Sequence, residues 1–141
     1  IDINLADAYP GNEELYPKDI KKRGLIEQWI SIESSNYKAA ENLVAELDFK
    51  PMKGLPTNPQ SVEENTKALH KTLEVMDKEL SQRAYVAGDQ FTLADLFFIP
   101  YTVYLLNTEQ FKNLFDQYPN LTRWWNSIKA RPSYKKVIEG K

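Results

Sequence analysis

Side chains able to do nucleophilic or acid–base chemistry are few in this sequence, and only one stands out by its setting. There is no cysteine, so no disulfide, thiolate metal site or cysteine nucleophile can form within the chain. The single histidine, His70, cannot build a zinc site unaided and falls in a charged helical stretch, where a solvent-facing role is expected. Tyr9, Tyr16, Tyr37, Tyr85, Tyr101, Tyr104, Tyr118 and Tyr134 could each donate a hydrogen bond, but their spacing singles none out. Asp95 lies inside "YVAGDQFTLADLFFIP", residues 85–100, the most apolar setting of any carboxylate here. Carboxylates in apolar surroundings sometimes act as acids or bases. Thr92, three residues earlier, supplies another reason for it. With Thr92 as N-cap, Asp95 is N3, and Phe91 and Leu96 take the positions of a hydrophobic staple. Asp95 is therefore expected to satisfy the amides of a buried helix start, and its loss to cost about 1–2 kcal/mol. No glycine-rich phosphate loop, paired metal-ligand spacing or nucleophile elbow is present. The sequence thus offers no catalytic residue and no metal site. Asp2, Asp7, Glu13 and Glu14 cluster near the start in loop-like sequence and are expected only to solubilise it.

Composition sets the frame. The 141 residues fit one domain, with 42% hydrophobic and 27% charged residues, as in ordinary globular proteins. A net charge of −2 gives no overall basic field for nucleic acid. Lys21-Lys22-Arg23 reads as a solvated helix face. No apolar run approaches the roughly 20 residues a membrane helix needs, and no signal peptide is visible. A cytoplasmic location is the expectation, and the sequon Asn120-Leu-Thr122 is then a chance match.

Proline and glycine divide the chain into helical pieces. Residues 1–17 carry Pro10-Gly11 and Pro17 and read as a linker. Lys18 to Asp48 has no break but Gly24, which predicts one long helix with two stripes. The first stripe is Leu25, Trp29, Ile32, Ala39 and Leu43, interrupted by Asn36; the second is Ile26, Ile30, Glu33, Tyr37, Ala40, Val44 and Leu47. A helix apolar over so much of its circumference needs cover on more than one side. "FKPMKGLPTNPQ", residues 49–60, is a break, after which Ser61-Val-Glu-Glu64 reads as a capping box. Val62, Thr66, Leu69, Leu73, Met76 and Leu80 then mark an amphipathic helix ending near Ser81. "LADLFFIPYTVYLL" is apolar all round, the mark of a central helix, with a kink expected at Pro100. A short helix is expected in "EQFKNLFDQYP", another after an Asn120 cap, and a last turn beginning near Pro132. Of the adjacent Trp124 and Trp125, one is expected in the core and the other over a neighbour. With no alternating strand pattern, the fold class is all-α.

These motifs together resemble a known family. "YVAGDQFTLADLFFIPYTVYLL" resembles the capping-box segment of the C-terminal helical domain of cytosolic glutathione transferases, and "YPNLTRWWNSIKARPSYKKV" its terminal segment. "WISIESSNYKAAENLVAELDFKPMKGLPTNP" is similar to the phi class, known from plants and fungi. The likeness spans about Tyr16 to Ile138. It implies that residues 18–141 form a glutathione-transferase C-terminal-domain-like bundle, and that residues 1–17 are the linker or end of a thioredoxin-like N-terminal domain. In the family that other domain binds glutathione, the co-substrate, and a serine there activates its thiolate. On this reading the chain holds no catalytic residue and no cofactor and should not turn over alone. It would supply the wall of the hydrophobic-substrate site and part of a homodimer contact, for conjugating glutathione to small hydrophobic electrophiles. The resemblance maps that wall onto Glu33, Tyr37, Ala40 and Val44 of the second stripe, taken as the flank lacking a partner, and onto Tyr101 and Tyr104 beyond Pro100. Two other readings remain open: an assembly module, as in translation-factor gamma subunits, some aminoacyl-tRNA synthetases and a fungal nitrogen regulator, and a carrier of hydrophobic ligands.

Overall fold

Serine-rich and proline-rich punctuation decides where each helix stops. The computed structural model describes residues 3–8, 11 and 13–140, the side chains of Leu5 and Asp7 excepted, so Asp2, Tyr9 and Pro10 lie outside it. A short helix α1, Ile3–Ala8, occupies part of the expected linker. Helix α2, Ile20–Asn36, is capped by Asp19, whose carboxylate accepts the Lys22 amide at 2.9 Å. The long helix predicted to Asp48 is instead interrupted at Tyr37 (φ −89°, ψ 3°) and resumes as α3, Lys38–Val44. The cause is local. Ser34 and Ser35 donate back to the Ser31 carbonyl at 3.1 and 2.7 Å, competing with the helical ladder just before Asn36. A π-helical turn, Ala45–Phe49, follows, then the single turn α4, Lys50–Met52.

Two caps differ from the sequence expectation. Helix α5, Pro59–Leu80, starts before Ser61: Asn58 accepts the Gln60 and Ser61 amides at 3.1 and 3.3 Å, and Pro59 takes the first position, where its missing N–H costs nothing. After α6, Leu93–Asn107, residues 108–118 form turns rather than a helix. Helix α7, Pro119–Lys129, is capped from outside its own segment. Asp77 of α5 accepts the Asn120 and Leu121 amides at 2.8 and 2.9 Å, so Asn120 is not the cap. Helix α8, Pro132–Ile138, ends the described chain. Among the described residues there is no strand, and no helix is long and apolar enough to cross a membrane.

Helix α6 is central: it packs on α2 and α3, while α5 packs on α3 and α7. Phe98 of α6 is fully buried between Tyr37, Trp29 and Trp124, with edge-on ring centroids 5.0, 6.5 and 6.3 Å away. Trp124 and Trp125 are both buried: Trp124 packs in the core on Phe98, while Trp125 covers Phe115 and is itself overlaid by Tyr134 of α8. His70 is also not the solvent-facing residue expected. It is half-buried, with Nδ1 2.7 Å from the Tyr118 hydroxyl, which helps hold α5 to the start of α7.

Glu46 clasps the proline-rich segment. One carboxylate oxygen accepts the Asn58 amide at 2.9 Å, the other pairs with Lys50 at 2.6 Å, and the Glu46 carbonyl accepts from Thr57. The Asn58 amide, then the Lys50 ammonium, hold its carboxyl below the ordinary value of 4.5. A depressed folded-state pKa means the clasp contributes fully above the unfolded value and fades as pH falls through the folded one. Urea unfolding should therefore show wild type ahead of Glu46→Gln at neutral pH, with the gap closing below about pH 4. A gap independent of pH would count against the clasp.

Candidate functional site

The sequence-predicted wall residues are not brought together. Tyr37, Ala40 and Val44 are sealed in the chain's own core, 2%, 0% and 0% exposed. The second stripe thus faces the core, the first is buried as well at Trp29, Ala39 and Leu43, and only Leu25 and Ile32 of the first are left at an open flank. The reason is the break at Tyr37, which lets the second stripe of α2 and α3 close on α6. The Tyr37 hydroxyl is committed. Thr102 spends its one hydroxyl hydrogen on the Phe98 carbonyl at 2.7 Å, so Tyr37 donates to Thr102 Oγ1 at 2.8 Å. Burial pushes the Tyr37 phenol far above its ordinary value of 10.0, with Glu33 adding to the rise. It is a neutral core phenol at any physiological pH. Tyr37→Phe should cost about 1 kcal/mol of stability and leave any substrate affinity of the intact protein unchanged; a rise in KM with unaltered melting would return it to the site.

What the fold does present is the outer face of α6 and the end of the π turn. Tyr104 is 46% exposed, and its ring stands edge-on to that of Phe49, 39% exposed, at 5.5 Å between centroids. Phe49 reaches that position as the last residue of the π turn, where the wider winding re-aims the side chain. Sequence reading passed over Phe49; the signal was its place beside the Lys50-Pro51 break. Tyr101, one turn before Tyr104, is half-buried. Glu33 is half-buried as well. Burial, then the charge of Glu41, raises its carboxyl above 4.5. The result on α6 and the π turn is an apolar edge of two aromatic rings.

Asp95 belongs to the frame of the site. Its Oδ2 accepts the Thr92 amide at 3.0 Å, and its Oδ1 accepts the Val86 amide at 3.0 Å and Trp124 Nε1 at 2.8 Å. Burial pushes its carboxyl above 3.8 while these donors pull it back. The Thr92 hydroxyl is buried and unpartnered, so the amide of Thr92, held by Asp95, is the bonded half of the box.

The unpartnered flank is a groove of about 290 Å³ between α2 and α5. Leu25 and Val75, 45% and 60% exposed, stand over Trp29, Ile32 and Met76, and Arg83 lies over the Trp29 ring at 5.5 Å. Among the described residues no group of three metal-ligating side chains comes together.

Comparison with known proteins adds to this geometry. The family model described as "Glutathione S-transferase, C-terminal domain" matches residues 40–132. The chain is 38% identical over 127 residues to glutathione S-transferase F11 of Arabidopsis thaliana, a match covering 89% of the chain and 59% of that protein. Glutathione transferase F7 from Populus trichocarpa superposes with a TM-score of 0.88 at 30% identity, over 97% of the chain and 65% of that structure. Glutathione S-transferase I "from mais", solved in complex with an atrazine glutathione conjugate, superposes with a TM-score of 0.87 at 31% identity, over 95% of the chain and 63% of that structure. The chain thus spans about 60% of the length of the proteins it matches.

Proposed function

Since this chain belongs to the glutathione S-transferase C-terminal domain family, we propose that it is the helical domain of a phi-class-like transferase that conjugates glutathione to small hydrophobic electrophiles. The transferase names of its relatives favour this over an assembly module. Glutathione and the group that activates its thiolate would be held by a thioredoxin-like N-terminal domain preceding these residues. This domain's task is to desolvate and orient the electrophile, so that the thiolate meets its electrophilic carbon in line with the bond that breaks.

One observation carries the reading: two aromatic rings from distant segments, Tyr104 and Phe49, remain substantially exposed edge-to-face on one surface. Such a pair is costly to leave in water and suits a flat apolar guest. Tyr37, Ala40 and Val44 then act from behind, as the packing that holds α3 against α6. In this reading Tyr101, one helical turn before Tyr104, and Glu33 of α2 stay candidates for the rim of the surface. The conjugate bound by the similar transferase fits a guest of this kind.

In the intact protein, Tyr104→Ala should raise KM for 1-chloro-2,4-dinitrobenzene about tenfold, the equivalent of losing one aromatic contact, with KM for glutathione within about twofold. Equal effects on both substrates would sink this wall. A cytoplasmic homodimer completes the proposal, joined through the α2–α5 groove, whose apolar floor can meet its own copy about a twofold axis. Cell fractionation that placed the intact protein elsewhere would remove the first half of that statement.

A further inference from the structure

Of the four arginines in the chain, three spend their guanidinium inside the fold. Arg23 lies over the Tyr16 ring, and its Nε donates to the Pro17 carbonyl at 2.9 Å. Arg83 lies over Trp29 and donates to the Val86 carbonyl at 2.8 Å and to Glu79 at 2.7 Å. Arg123 donates to the carbonyls of Leu80, Arg83 and Ala84. Arg131 is the exception. It is half-buried, with its guanidinium carbon 4.0 Å from the centroid of the Phe91 ring. Its Nε is buried and has no acceptor among the described residues. Its Nη groups are not buried, and they too bond no carbonyl or carboxylate there. A buried N–H of a charged group is costly to leave unmatched. The backbone keeps the side chain in place: the Arg131 amide donates to the Ile128 carbonyl at 3.1 Å, its carbonyl accepts from Lys135 at 3.1 Å, and Pro132 follows.

This guanidinium sits where the chain arrives from upstream. The Leu15 carbonyl accepts the Leu93 amide at 3.0 Å, two residues from Phe91, so the segment after α1 runs against the start of α6. The other buried side-chain polar atom without a partner among the described residues is Thr92 Oγ1, on the residue next to Phe91. Both unmatched groups therefore fall at one end of α6. The surrounding charge has one sign. Residues 129–136 carry Lys129, Arg131, Lys135 and Lys136 and no carboxylate.

We propose that Arg131 is a docking point for a carboxylate, an Asp or Glu side chain of the domain preceding residue 1, and that it anchors that domain to the start of α6. The inference rests on reading the chain as the helical half of a two-domain transferase. A planar guanidinium already held on a ring offers its free N–H groups as a fork that fits a carboxylate, and loses little freedom when one arrives. Such an anchor has a use. An electrophile on the Tyr104–Phe49 surface must face a thiolate held by the other domain, so the two halves need a fixed relation.

The intact protein carrying Arg131→Lys, treated with a water-soluble carbodiimide, tests this. The reagent activates a carboxylate, the lysine amine displaces the resulting urea, and an amide bond joins the two side chains. Peptide mapping should find residue 131 joined to an Asp or Glu upstream of Ile1. Wild type should lack that product, because a guanidinium does not couple. In Arg131→Gln, amide hydrogen exchange should be about tenfold faster in the upstream segment so identified and unchanged in α5. A link to Asp89 or any other carboxylate of residues 1–141, a link to a second copy, or no link at all would overturn the proposal. So would faster exchange confined to α7 and α8, the mark of a side chain serving only its own bundle. An upstream sequence without a thioredoxin-like domain would sink the transferase reading itself; with that domain present and no link formed, the anchor alone fails.

Discussion

Asp95→Ala in the intact protein is expected to lose about 3–5 kcal/mol of stability, well beyond the loss of one helix cap. The carboxylate is 0% exposed and accepts from three N–H groups in three different segments: Val86 before the helix, Thr92 at its start, and the Trp124 indole on α7. Removing it leaves three buried donors without an acceptor, each costing about 1–3 kcal/mol before water enters to relieve part of the penalty. Asp95→Asn should fall between wild type and alanine, because an amide brings one acceptor oxygen and turns an NH₂ group toward donors. Urea denaturation at neutral pH measures both. The alternative, a catalytic carboxylate, makes the opposite prediction: unchanged melting with turnover gone. That outcome would reverse the assignment.

The other large effect concerns assembly. Val75→Glu in the intact protein is expected to weaken the proposed dimer by roughly a hundredfold or more, since a twofold interface receives each substitution twice and must bury both charges without partners. Val75 is 60% exposed on α5 and stands over the groove with Leu25, so the fold of each subunit should be indifferent to the change. Val137→Glu, at a still more exposed apolar position on α8, is the control and should leave the dimer intact. Sedimentation velocity across a concentration series reads both. A Val75→Glu protein that stays dimeric at low concentration would move the interface away from this groove.

Acid should loosen the scaffold where Glu46 holds it. The clasp on Asn58 is lost as Glu46 takes up its proton. The π turn that delivers Phe49 begins next to that clasp, so acid loosening and loss of substrate affinity should appear together.

Local chemistry alone was enough for several conclusions. The helical class, the central position of α6, the role of Asp95 as a cap and the family were all legible, because each rests on the spacing of a few residues or on a contiguous motif. The amphipathic stripe of α5 was legible for the same reason, down to buried Leu69, Leu73, Met76 and Leu80. Tertiary structure decided what spacing cannot encode. Two apolar stripes on one helix are equivalent by periodicity, and only the packing of α5 and α6 around α2 and α3 decided that both close on the core and that Leu25 and Ile32 stay at the open flank. Asp77 capping α7 across 43 residues, and Asp95 holding the Trp124 indole, join segments with no sequence relation to one another. Phe49 and Tyr104 meet only because a π turn swings one ring toward the other. Periodicity assigns a residue to a face of its own helix; what that face meets is settled by how the helices pack, and there the polar groups of one segment are satisfied by another.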